Sequence, residues 1–159
     1  MGKAEKLALT LSGLLLMVFF SAIIYASAAR GIVIPTCITD VEPFTQGSII
    51  DMGENRYEIQ MVARMWAFDV GTGRNVITLP AGSEVDLYVV SQDIVHGFHI
   101  EKTNLNLMAV PGAINYARVK FDEPGEYFFA CHEFCGAAHH TMAGRFVITE
   151  HAQTAGAQQ

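Results

Sequence analysis

The stretch CHEFCGAAHHTM, Cys131 to Met142, places two cysteines, three histidines, a glutamate and a methionine within twelve residues. Thiolates and thioethers are soft ligands and imidazole is intermediate, so together they suit copper, zinc or an iron–sulfur cluster. The spacing C-x3-C-x3-H offers Cys131, Cys135 and His139, and Met142 follows three residues later. A further strong donor must come from elsewhere. The segment DIVHGFH supplies His96 and, three residues on, His99. Along a continuing strand His99 faces away from His96, which makes His96 the better donor.

Several metals answer to this inventory. Zinc accepts two cysteines and two histidines in a tetrahedron but has no use for a methionine. Cys135 with His96, His139 and Met142 is a mononuclear blue-copper set. Cys131 is then a surplus thiolate. Two copper ions sharing both sulfurs would use it, with one histidine each, Met142 as a weak ligand to one ion and a backbone carbonyl for the other. Without metal, Cys131 and Cys135 could pair as a disulfide in an oxidising compartment, but that leaves the histidine and methionine unexplained.

Loops at one end of a β-sandwich bring such distant donors together. The sequence between Glu54 and Glu150 reads as that fold. ENRYEIQMVARMWAFDV, NVITL, EVDLYVVS, INYARVKFD, EYFFA and AGRFVITE are rich in strand formers, and Pro/Gly turns separate them. Ahead of them, LALTLSGLLLMVFFSAIIYASAA (Leu7–Ala29) is uncharged. As a helix it extends roughly 35 Å, enough to cross a hydrocarbon core of about 30 Å. Ala26-Ser27-Ala28 has the look of a cleavage site, yet the apolar run exceeds the usual signal core of about 7–15 residues, so a retained anchor is expected. Lys3 and Lys6 on its N-terminal side against Arg30 beyond it favour a cytoplasmic N-terminus and an external domain. The expected organisation is an anchor over residues 1–30, a connector over 31–54, an all-β domain over 55–150 and a flexible tail over 151–159.

Composition narrows the partners. The chain has 159 residues, with 10 basic against 16 acidic side chains, so a nucleic-acid partner is not expected. Without Lys3, Glu5, Lys6 and Arg30, the external part carries 7 basic and 15 acidic groups. That balance suits solubility or a basic protein partner. Three cysteines are too few for a disulfide scaffold.

The loop pattern C-x-E-x-C-x3-H-x2-M, the upstream S-x-D-x-x-H (Ser91, Asp93, His96) and the G-x-Y of Gly125 and Tyr127 resemble subunit II of the heme–copper (cytochrome c) oxidases, which carries a binuclear CuA centre. The single anchor resembles the short bacterial form. The resemblance implies a cupredoxin-like Greek-key sandwich and copper ligands His96, Cys131, Glu133 through its backbone oxygen, Cys135, His139 and Met142. It implies magnesium bound by the Glu133 carboxylate where subunit I docks, a role that short-form members lacking this glutamate do not share. It implies electron entry from cytochrome c near Trp66, transfer to a heme of subunit I for oxygen reduction, and a bacterial cell membrane with the copper domain on the outer, periplasmic side.

On residues alone, Trp66 fits a sandwich core equally well. His132 and His140 read as exposed or facing subunit I, Met61, Met65 and Met108 as packing residues, and Cys37 as a free thiol. Competing readings are a CuA subunit of a nitric-oxide reductase, a membrane-tethered copper-delivery module, and a structural zinc site.

Overall fold

The computed structural model describes residues 2–30, 36–38 and 41–150. Two units are distinct, an N-terminal helix and a β domain. Helix α1 spans Lys3–Arg30. The Gly2 N–H donates to the Glu5 carboxylate at 2.8 Å and caps its start. Its leucines and phenylalanines are exposed, Leu15 at 70%, which is the surface a bilayer covers.

Among the described residues, eleven strands form two sheets. The first has the order β1 (Thr36–Ile38), β9 (Ile114–Phe121), β6 (Ser83–Ser91), β3 (Arg56–Arg64) and β2 (Ser48–Gly53). The short β4 (Ala67–Asp69) pairs with the far end of β3. The second runs β5 (Val76–Pro80), β11 (Ala143–Thr149), β10 (Gly125–Ala130), β7 (His96–Ile100) and β8 (Asn106–Ala109). Both sheets are mixed: β3 runs parallel to β6 and β5 parallel to β11, while the other pairs are antiparallel. The stretch that reads as a connector, residues 31–54, thus contributes β1 and β2 to the first sheet. The tail over 151–159 and the side chain of Cys37 lie outside the described residues.

Alternation builds the core. In β6 the burial pattern places Val85, Leu87 and Val89 inward, facing Phe98, Ile100, Phe129, Phe146 and Ile148 of the second sheet. Phe129 is the hub of an aromatic cluster, with ring centres 5.3 Å from Phe98, 5.6 Å from Phe146 and 5.8 Å from Phe68. Edge-to-face rings of this size dominate the burial energetics and leave little freedom to shift. Met61 is buried, as its reading as a packing residue anticipates. The consequence for function is rigidity: β7, β10 and β11, which frame the cysteine loop, are pinned to one another by this cluster.

Candidate metal centre

The loop leaves β10 and re-enters as β11, and the hairpin closes beneath it. Ala130 pairs with Ala143, and the Cys131 N–H donates to the Met142 carbonyl at 2.9 Å. The first and last donors of the loop are therefore held side by side. The return path is a 3-10 turn over His139–Thr141. It is fixed by the Thr141 hydroxyl, which donates to the Ala138 carbonyl at 2.7 Å, and by the His139 N–H, which donates to the Gly136 carbonyl at 3.1 Å.

His96 begins β7 and is fully buried. Its imidazole reaches the cysteines from the neighbouring strand, with Nδ1 at 4.0 Å from the Cys131 sulfur. The two sulfurs lie 3.8 Å apart. Cys135 continues the chain of donors, its sulfur 3.4 Å from His139 Nδ1 and 3.8 Å from Met142 Sδ. The Cys131 thiol also faces the Glu133 backbone oxygen at 3.2 Å. All six donors named from the sequence are thus gathered at one end of the sandwich. Cys131, Cys135 and Met142 are buried, and the Glu133 side chain is exposed.

Donor chemistry and spacing fit a thiophilic cation. The donor atoms of His96, Cys131 and Cys135 all lie within 4.8 Å of one another. Two donors on one ion, at about 2.0–2.3 Å each, lie up to about 4.6 Å apart. Both cysteines are free thiols. Burial, the hydrogen bond and charge of Cys131, and the negative charge of Asp93 push the Cys135 thiol up to about 11. A bound cation reverses that situation by stabilising the thiolate directly.

The surroundings fix the donors. Asp93 accepts a hydrogen bond from His96 Nε2 at 2.7 Å, which leaves Nδ1 with its lone pair toward the sulfurs. Burial pushes the Asp93 carboxyl up, but hydrogen bonds from His96 and from the Met65 and Ile94 N–H groups outweigh it and hold it below its ordinary range. The turn is tightened by the Ser91 hydroxyl, which donates to the Ile94 carbonyl.

Trp66 is part of this frame rather than of the sandwich core. It lies between β3 and β4, is 39% exposed, and donates its indole N–H to the Cys135 carbonyl at 3.0 Å. Gly136, with φ +113°, lets the indole lie against the loop, since a Cβ there would stand 3.2 Å from the indole nitrogen. His99 lies outside the cluster, facing the opposite side of β7 from Phe98 and Ile100. His132 and His140 are exposed. The indole–loop hydrogen bond and the clamp by Asp93 are missed from sequence. The S-x-D-x-x-H spacing is the one visible sign of the latter.

Comparison with known proteins gives a consistent picture. A family model described as the periplasmic domain of cytochrome c oxidase subunit II matches residues 58–149. The chain is similar to a cytochrome c oxidase subunit 2 of Thermus thermophilus, 33% identical over 158 residues that cover 92% of each chain. A second Thermus thermophilus subunit 2 is 34% identical over 118 residues, 73% of this chain and 84% of that one. Among solved structures, a chain of a heme-copper terminal oxidase dimer determined by cryo-EM superposes with a TM-score of 0.82 at 51% identity, covering 92% of this chain and all (100%) of that one. The periplasmic domain of subunit II of the Bradyrhizobium japonicum cytochrome oxidase, 17% identical, shares the fold with a TM-score of 0.51 over 68% of this chain and 87% of that one.

Proposed function

The chain belongs to the cytochrome c oxidase subunit II family, and from that premise we propose the roles of its individual residues. It is a subunit of a heme–copper terminal oxidase and transfers electrons by way of a copper site. The domain is a cupredoxin-like sandwich behind one apolar helix. In the proposal His96, Cys131, the Glu133 carbonyl, Cys135, His139 and Met142 hold a binuclear CuA pair. When bound, the copper pair would supply a one-electron store whose charge is spread over both metals.

The chain's own residues do the rest. Asp93 orients His96 and holds the proton on its Nε2, which leaves Nδ1 free to bind metal. The β10–β11 ladder holds Cys131 against Met142, so the donors keep their places when charge changes, as a preorganised site requires. Burial of Cys131, Cys135, His96 and Met142 keeps water from the sulfurs. Trp66 is the proposed entry point: an exposed ring hydrogen-bonded to the carbonyl of a ligand residue links the surface to the cluster. Its exposed neighbours Met65, Ile94 and Val95 supply an apolar rim suited to a transient protein partner, here a cytochrome c. Phe134, its ring centre 5.9 Å from that of His139, marks the side facing the heme-bearing subunit I. In the proposal the exposed Glu133 carboxylate contributes to holding magnesium at that junction.

The anchor crosses a bacterial cell membrane once, with its N-terminus cytoplasmic and the copper domain on the periplasmic side. Residues 1–30 serve as anchor, 31–54 as a connector that also lends β1 and β2 to the sandwich, 55–150 as the copper domain and 151–159 as the tail.

The observation that carries the proposal is the 3.8 Å separation of two unlinked, buried cysteine sulfurs flanked by one histidine on each side. Copper counting and electron spin resonance on the purified full chain test it. Two coppers per chain with one spin shared over both nuclei are expected. Cys131→Ser should leave a mononuclear site. One zinc in a colourless protein, or two coppers retained in Cys131→Ser, overturns it.

A further inference from the structure

The outer face of the second sheet carries donors that the loop cluster does not use. On β7, Gly97 and His99 point away from the core while Phe98 and Ile100 point in. A Cβ on Gly97 would lie 2.4 Å from Nδ1 of His132 and 2.5 Å from its Cε1. The imidazole of His132 therefore occupies the space that the missing side chain leaves. There it meets His99, with ring centres 5.7 Å apart. Nδ1 of His99 is buried and lacks a hydrogen-bond partner, an uncommon state for a ring nitrogen that is normally satisfied.

A third donor is fixed by register. Gly97 pairs with Met108 on β8, and Met108 lies on the exposed face of that strand, alternating with the buried Leu107 and Ala109. Residues directly opposite one another keep their Cβ positions about 5 Å apart. Met108 therefore sits on the same face of the sheet as the ring of His132, across from the glycine that the ring covers.

From this placement we infer that His99, His132 and Met108 form a second, surface site for a single cuprous ion, outside the binuclear cluster. Two imidazoles bound to one ion at about 2 Å hold their ring centres roughly 5–6 Å apart when the angle at the metal is open, as in three-coordinate binding. The observed separation needs little adjustment. The thioether selects the soft monovalent ion over zinc or magnesium. Binding also gives the buried nitrogen of His99 the partner it lacks. The site borders the loop cluster through the chain itself, since His132 follows Cys131 and His99 lies three residues beyond His96.

The test uses the full chain in detergent, with its loop cluster already loaded and kept reduced under nitrogen. Cuprous ion alone is titrated against a competing chelator, and bound copper is counted. The wild type should take up one ion more than His99→Ala. Gly97→Ala, which evicts the His132 ring, should lose the same ion. Met108→Leu should weaken that ion's binding at least about tenfold while zinc binding stays unchanged. An aliquot of each of the four proteins, taken before reduction, should show the same absorption of the oxidised loop cluster, which establishes that each is folded. Equal copper uptake by wild type and His99→Ala, or unaltered cuprous affinity in Met108→Leu, overturns the inference. Because the readout is a difference between variants, it stands apart from the number of ions in the loop cluster, which Cys131→Ser reports.

Discussion

Asp93 and His96 are joined by a 2.7 Å hydrogen bond between carboxylate Oδ1 and ring Nε2, and the other oxygen of Asp93 accepts the Met65 N–H at 2.7 Å. An ionised carboxylate only accepts, so the proton sits on Nε2 and Nδ1 keeps the lone pair that the proposed ligation uses. One side chain thus fixes both the tautomer of the buried His96 and the turn that carries Trp66. Asp93→Ala should weaken copper retention about 10–100-fold, measured by competition with a chelator. Unchanged retention would mean that packing alone orients the ring.

The bond from Trp66 to the Cys135 carbonyl separates two effects. Trp66→Phe keeps an aromatic ring and removes the donor. The expected cost is about 1 kcal/mol in stability, with the copper count unchanged and slower reduction of the cluster by a cytochrome c in stopped flow. Wild-type reduction kinetics would remove Trp66 from the entry route.

Copper uptake should depend on pH. The Cys135 thiol, pushed up to about 11, holds its proton at neutral pH in the metal-free chain and must release it on loading. Affinity should therefore rise with pH between 6 and 9, about tenfold per unit for each proton displaced. Proton release into weak buffer on adding copper checks the same point.

Asp86 ties the outer face of the first sheet. It accepts from Arg118 Nε at 2.8 Å, the Tyr116 hydroxyl at 2.6 Å and Arg56 at 3.4 Å. Burial pushes its carboxyl up, but these partners outweigh it and hold it below the ordinary range. A carboxyl lowered on folding stabilises above its unfolded value, about 3.9, and the contribution is lost as pH falls through the folded value. Asp86→Asn should cost about 1 kcal/mol at pH 7. The melting temperatures of variant and wild type should converge as the pH falls below the ordinary carboxylate range.

Gly144 tests how closely β11 is packed. A Cβ there would stand 2.4 Å from both the Asn75 carbonyl oxygen and the ring of Phe129, so neither backbone nor core can yield cheaply. Gly144→Ala should destabilise the domain by about 1–3 kcal/mol, read by thermal unfolding, and loosen copper binding with it.

Much of this was legible in the residues. The uncharged run became α1, and EVDLYVVS and INYARVKF became β6 and β9 because their alternation matches a half-buried strand. The convergence of the loop donors with His96 followed from loops clustering at one end of a sandwich. Strand partners and directions were not legible. Side-chain alternation is the same in parallel and antiparallel pairs, so nothing in RYEIQMVAR announced its parallel union with β6. ENRYEIQMVARMWAFDV reads as one strand, yet it splits at Met65–Trp66 into β3 and β4. Asp93 bonds to the Met65 N–H from 28 residues away, a tertiary contact that no local pattern encodes. The seat of His132 over Gly97 likewise depends on the path of the loop, not on spacing.

The proposed ligands come from far apart in the sequence. His96 precedes Cys131 by 35 residues, and the loop acquires its second wall only when β11 lies between β10 and β5. A polypeptide still emerging from its ribosome therefore owns the sulfur atoms before it owns a vessel for them. If the cluster takes up metal as proposed, loading follows the pairing of β11 with β10 and β5, and whatever delivers the metal meets a folded sandwich rather than a nascent thread.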